Sequence, residues 1–184
     1  YEVYGLLYQS TGEYELAEEN YKKALTAGNE NISRARNNYA AFLYTQERYK
    51  DAEQQLNYVI KDTLYSGRPN AFVNLGMCRL KLFDTQGAEE AFVRALAMDR
   101  TNQVALVEVA QIRFDAGDYA SASQFYATYR AVARQQTARA LLLGTRLARV
   151  EGDRDSEASY ALALSSRFPN SAEYEAYKRT VKSD

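Results

Sequence analysis

Along this chain an alanine is followed four residues later by a large side chain and seven residues later by another apolar or aromatic one, and the triplet recurs. The stretches GEYELAEENYKKAL, ERYKDAEQQLNYVI, TQGAEEAFVRALAMD and GDYASASQFYATYR carry it around Ala17, Ala52, Ala88 and Ala122, with a weaker fifth copy around Ala158. The spacing of four and seven places all three groups on one face of a helix. A second helical pattern precedes each anchor by about 12 residues and holds a small residue there: Gly5, Ala40, Gly76 and Ala110, with Gly144 two residues further back. A large apolar residue stands just before each, namely Tyr4, Tyr39, Leu75, Val109 and Leu143. A small residue at that point lets two helices cross closely, which predicts five helix-turn-helix pairs. Gly12, Gly117 and Gly152 fall between the paired helices, where a left-handed backbone angle ends a helix at low cost. Gly28-Asn29, Ser66-Gly67 and Thr101-Asn102 separate one pair from the next, and Pro69 is suited to opening a helix because its missing amide hydrogen would be unpaired there.

The anchors are separated by 35, 36, 34 and 36 residues, which matches the tetratricopeptide repeat, a helix pair of about 34 residues. The fold predicted is therefore all-α: a single tetratricopeptide-repeat solenoid over residues 1–184, with repeats near 1–31, 34–65, 69–101, 103–135 and 137–169. A C-terminal capping helix over 171–182 carries one apolar stripe of Tyr174, Tyr177 and Val181. The third repeat fits best, through Phe72, Leu75, Gly76, Ala88, Phe92, Ala95 and Leu96. It departs from the motif at Arg79, where tyrosine is common, and at Arg100, where proline is common. The sequence opens at Tyr1 inside a helical pattern without an N-terminal cap, so a further repeat is expected upstream.

Composition narrows the chemistry. The chain has 23 basic and 24 acidic residues and a net charge of −1, which gives no footprint for nucleic acid or an anionic membrane. No apolar run approaches the ~20 residues that span a bilayer. There is no histidine, so the usual general base and commonest metal ligand are missing. Cys78 is the only cysteine and sits in the apolar run VNLGMCRL, which suits a small buried hydrophobe. Glu18-Glu19, Glu89-Glu90 and Asp153/Asp155 are acidic pairs, but helix spacing and basic neighbours assign them to solvated faces or a turn. No catalytic residue, metal or cofactor is expected, and the function predicted is protein binding.

The binding surface expected is the groove lined by the first helix of each pair. Its candidate residues are Leu6 and Gln9 in the first repeat, and Asn37, Ala41 and Tyr44 in the second. Val73, Met77 and Leu80 follow in the third, Val107, Gln111 and Phe114 in the fourth, and Leu141 and Thr145 in the fifth. Tyr44, Val73, Met77, Leu80 and Phe114 would make an apolar stripe with a flexible methionine in the middle. Each of them could instead pack between neighbouring helices. The lysines and arginines that clamp a peptide carboxylate in co-chaperone repeats are missing: Asn37, Asn38, Val73, Asn74 and Met77 stand at those positions.

Four further stretches lie outside the general repeat pattern: ARNNYAAFLYTQERYKDAEQQL (35–56), DTLY (62–65), ALLLGTRLARVEGDRDSEASY (140–160) and FPNSAEYEAY (168–177). Together they resemble the type IV pilus biogenesis and stability lipoproteins, the PilF/PilW family of secretin pilotins. The resemblance implies an outer-membrane lipoprotein on the periplasmic face, anchored through a lipidated N-terminal cysteine that this sequence lacks. It implies the pilus secretin as protein partner, a monomeric state, and a role in secretin assembly, pilus biogenesis and twitching motility. A periplasmic adaptor of another cell-envelope assembly pathway is the alternative the residues leave open.

Overall fold

The computed structural model describes residues 1–27 and 32–181, and among these it contains eleven α-helices and no strand. The Gly28-Asn29 turn expected from sequence lies outside the described residues. Contacts divide the chain into two compact parts, residues 1–100 and 101–184.

The first part holds three helix pairs: α1 (Glu2–Thr11) with α2 (Tyr14–Thr26), α3 (Ile32–Thr45) with α4 (Tyr49–Val59), and α5 (Arg68–Lys81) with α6 (Thr85–Met98). Each pair is set by a small residue on the first helix and a ring or branched chain on the second. A Cβ added at Gly5 would lie 2.9 Å from the Tyr21 ring, and one at Gly76 would lie 2.6 Å from Phe92. The anchors Ala17, Ala52 and Ala88 and their followers Tyr21, Leu56, Phe92, Ala24, Val59 and Ala95 are all buried. Each large member contributes roughly 1.5–3 kcal/mol by leaving water. Aromatic packing joins the first two pairs: Tyr21 meets Tyr39 at 5.7 Å and Phe42 at 5.4 Å between ring centroids. The Tyr21 and Tyr39 hydroxyls donate to Gln9 and Glu18, each at 2.8 Å. Arg79, the departure from the motif, replaces a tyrosine's packing with hydrogen bonds to Glu53 Oε1 at 2.9 Å and the Gly87 carbonyl at 3.0 Å.

The second part holds α7 (Gln103–Asp115) with α8 (Tyr119–Val132), α9 (Ala138–Glu151) with α10 (Arg154–Arg167), and the single helix α11 (Ala172–Val181). Tyr174 and Tyr177 of α11 pack on the cluster of Leu141, Leu142 and Leu164, while Val181 is exposed. The fifth anchor needs correction. Ala158 is exposed, and the buried residues of α10 are Ala161 and Leu164. Counting from the helix cap at Asp153, the position occupied elsewhere by alanine is Glu157, which accepts a 2.8 Å hydrogen bond from Arg149. A charged residue there hid the register.

All five turns inside the pairs are alike. The residue before the second helix's cap takes a left-handed angle: Gly12 at φ 83°, Glu47 at 59°, Phe83 at 62°, Gly117 at 79° and Gly152 at 74°. Glycine was legible at three of them. Glu47 and Phe83 carry side chains in a conformation that costs an L-residue about 1–2 kcal/mol. The caps beyond are Asp84, Asp118 and Asp153, whose carboxylates accept from the amides of Gly87, Ser121 and Ser156. In the DTLY linker, Asp62 accepts from the Leu64 amide at 3.1 Å and from the Ser33 hydroxyl, tying the linker to α3.

Two predictions follow from the packing and the turns. Phe83→Gly should raise unfolding free energy by roughly 0.5–1 kcal/mol, since relief of the left-handed strain exceeds glycine's entropy cost. Gly76→Leu should lower it by about 1–3 kcal/mol through overpacking against Phe92. Urea titrations read both, and equal stability of Gly76→Leu and the native chain would contradict the packing described.

The third prediction concerns Glu18. Burial alone would raise its carboxyl, but hydrogen bonds from Arg48, Lys22 and Tyr39 bring it from the ordinary 4.5 down to about 2. A carboxylate held below its unfolded value stabilises the fold above that value, and the contribution is lost as pH falls from about 4.5 through 2. Glu18→Gln should flatten the stability profile in that window, and an unchanged profile would show that the network contributes nothing.

Candidate protein-binding site

Sequence reasoning expected the first helices to carry the site, and in the first part the structure brings three of the candidates together. Ala41 and Tyr44 on α3 face Met77 on α5 across an apolar slot of about 230 Å³. Ala40, Thr45, Asn74 and Cys78 complete its sides, and Leu56 of α4 closes the floor. The slot exists because α3 presents two consecutive alanines where α5 presents longer side chains. Thr45 turns its hydroxyl back to the Phe42 carbonyl at 2.7 Å, so it offers mainly its methyl group. Tyr44 is braced edge-on by Tyr49 at 5.2 Å between centroids. No charged side chain is among the described residues that line the slot.

Asn74, part of the slot's lining, donates its side-chain amide to Asn37 Oδ1 at 3.1 Å. The next residue on α3 reaches the other way, with Asn38 donating to Glu2 Oε1 at 2.7 Å. Arg34 holds the same carboxylate through Nε and Nη2 at 3.1–3.2 Å. Arg34 of α3 is thus committed to an ion pair with α1.

The other candidates are placed differently. Leu6 is exposed on α1, and Gln9 accepts from the Tyr21 hydroxyl. Leu80 is half-buried, and Val73 is buried in the packing of α5. In the second part, Val107, Leu141 and Thr145 are buried, and Thr145 donates to the Leu142 carbonyl. Gln111 donates to Asp115 at 2.9 Å, and Phe114 is half-buried with its ring 5.2 Å from Tyr119. Sequence reasoning missed Glu108, which is 5% exposed and ion-paired to Arg139 Nη2 at 2.7 Å. Burial pushes its carboxyl up, and Arg139 offsets part of that rise. Of the acidic pairs, Glu18 joins the Arg48 network, Glu19 pairs with Lys23 at 2.6 Å, Glu90 accepts from Gln86 at 3.4 Å, and Asp153 caps α10. Among the described residues no group of three or more histidines, cysteines and carboxylates could hold a metal. None of the helices is long and apolar enough to cross a membrane.

Comparison with known proteins follows the same lines. Residues 1–28 and 79–147 match the Tetratricopeptide repeat family. Helix pairs closed by small-residue contacts, with a slot between successive first helices, make this a tetratricopeptide-repeat protein. The chain is 39% identical over 173 residues to the type IV pilus assembly protein PilF of Pseudomonas aeruginosa, covering 94% of this chain and 68% of that protein. It belongs to that family of type IV pilus biogenesis proteins, as the DTLY and 140–160 stretches suggested. The solved structure of Pseudomonas aeruginosa PilF superposes with a TM-score of 0.89 at 38% identity, covering 96% of this chain and 78% of the other. PilW, described as a widely conserved type IV pilus biogenesis factor, superposes at 0.77 with 26% identity, covering 95% and 80%.

The slot lining supplies a check. Cys78 is buried, and burial pushes its thiol up to about 12, with the nearby Glu53 charge adding to the rise. At neutral pH the native thiol should resist iodoacetamide over a period in which denatured protein reacts fully, because only the thiolate attacks. Mass spectrometry reads the difference, and rapid labelling of native protein would contradict the burial of Cys78.

Proposed function

We propose that this chain is a non-catalytic pilotin-type scaffold that docks a segment of the type IV pilus secretin. In that role it supports the secretin's arrival at the outer membrane and its assembly there, and hence pilus biogenesis and twitching motility. The full-length protein would act as a monomer on the periplasmic face, held by a lipidated N-terminal cysteine. Membership of the PilF family supports the pathway. The observation that carries docking is the slot between α3 and α5: an apolar, uncharged recess lined by a methionine, whose unbranched side chain adapts to what it packs against. Recesses of this kind anchor a partner's apolar side chain in a desolvated pocket. Such a surface suits binding and offers no acid–base pair for turnover.

Affinity capture of the secretin by the chain tests this. Met77→Glu places a charge where the partner's apolar group would sit, and should cut capture about tenfold or more, since an unpaired buried charge costs well over 1.4 kcal/mol. Phe114→Glu, in the second part of the chain, asks whether that region contributes. Full capture by Met77→Glu would remove the slot from the interface. Normal pili in a strain lacking the gene would redirect the scaffold to another envelope pathway.

A further inference from the structure

We infer that the first part of the chain holds a second protein-binding site, at the recess bounded by the end of α4, the start of α5 and the end of α6. Its occupant is an acidic segment of a partner chain, in which one large apolar residue is flanked by carboxylates. The recess shares no lining residue with the slot of Met77, so this site does not rest on docking there.

The recess is built from short stretches of sequence. Helix α4 stops at Val59, and Ile60 and Lys61 lead from it into the linker. A helix end leaves carbonyls without intrahelical partners. Arg68, which opens α5, donates from Nε to the Ile60 carbonyl at 2.7 Å, with its guanidinium 5.5 Å from the centre of the Phe72 ring. On α6, Ala97 and Met98 stand three and four residues after Arg94, which puts all three on one face. The short Ala97 leaves room among longer side chains. The result is an open recess of about 460 Å³.

Two observations define the occupant. The first is charge. Lys61, Arg68 and Arg94 all line the recess, and none of the described lining residues is acidic. Lys61 and Arg94 are exposed and form no ion pair with a described residue. Asp62 lies near enough to Arg68 for the two charges to interact, but its carboxylate accepts from the Ser33 hydroxyl and the Leu64 amide. Asp62 therefore offsets only part of the positive charge. Two carboxylates balance what is left, whereas a chain end brings only one. Guanidinium forks suit carboxylates, which they bind through paired hydrogen bonds. A net charge of −1 on the whole chain supplies no broad positive field to hold an anionic membrane. A discrete acidic segment fits better.

The second observation is apolar surface in the same lining. Ile60, Phe72 and Met98 contribute it, and Met98 is 41% exposed. A cavity of about 150 Å³ holds a benzene molecule, so the recess has room for one leucine or phenylalanine side chain with carboxylates beside it. Covering this surface excludes water, which strengthens the ion pairs around it. A bare anion would leave the surface wet.

The test uses the native chain and a nine-residue peptide, N-acetylated and C-amidated, of serine and glycine around a central Glu-Phe-Glu. The two methionines act as reporters, Met98 for the recess and Met77 for the slot. In two-dimensional NMR the Met98 methyl should shift on titration while the Met77 methyl stays in place. Replacing both glutamates by glutamine should weaken binding about tenfold or more, as should replacing phenylalanine by alanine. Raising the salt to about 0.5 M should weaken it severalfold. The double variant Lys61→Glu, Arg94→Glu reverses two exposed charges and breaks no ion pair, so its melting curve should match the native one. It should lose the acidic peptide and take up a Lys-Phe-Lys counterpart.

Equal binding of the glutamine peptide would overturn the proposal, as would a double variant that still takes the acidic one. So would a shift of Met77 in place of Met98, or tighter binding of a peptide ending in phenylalanine with a free carboxylate. Vesicles containing phosphatidylglycerol supply the last arm. If they bind the native chain and not the double variant, while no peptide moves Met98, the recess serves lipid and the assignment fails. Secretin capture by Met77→Glu is read separately, so failure here leaves docking at the slot intact.

Discussion

At Gly76 the backbone of α5 comes so near the ring of Phe92 that one added carbon would lie 2.6 Å from it. The same approach is made at Gly5 against Tyr21. Alanine serves at Ala40 and Ala110, both buried. Two helices this close exclude water along their shared face, and the aromatic and branched groups of the second helix supply most of the stabilisation there. The contact also fixes where along its length each helix meets its partner. Once that is set, the turn joining them has little choice of conformation, which explains why Glu47 and Phe83 take the same left-handed angle as the three glycines.

The turns show how firmly packing governs local preference. At Glu47 and Phe83 the backbone takes an angle that suits glycine, and the Phe83 ring is 94% exposed. Neither residue would choose this conformation in an isolated peptide. The penalty of about 1–2 kcal/mol is smaller than the burial of the two helices it joins. The Asp84 cap directly after Phe83 offsets a further part, since a capping carboxylate contributes about 1 kcal/mol.

Much of this was legible because alanine and glycine spacing is a one-dimensional signal of helix pairing. Ala17, Ala52, Ala88 and Ala122 are fully buried where the period placed them. The period failed at Ala158 because Glu157 occupies the alanine's place, satisfied by Arg149 instead of by burial. The site was harder to read. First-helix residues meet a neighbour on each side as well as solvent, and spacing cannot separate these faces. Val73, Val107, Leu141 and Thr145 fell on the packed side, whereas Ala41, Tyr44 and Met77 reached the slot. The left-handed turns at Glu47 and Phe83 and the buried pair of Glu108 with Arg139 left no compositional mark, since they depend on partners distant in sequence.

Consecutive residues of a helix point about 100° apart, and α3 uses this to face both its neighbours with the same kind of amide. Asn38 serves the glutamate of α1, and Asn37 serves the asparagine of α5. A repeat bearing this doublet is keyed to a specific unit on each side. Shuffling the units, or duplicating one, would break one of these bonds, so at these two seams the units are not interchangeable.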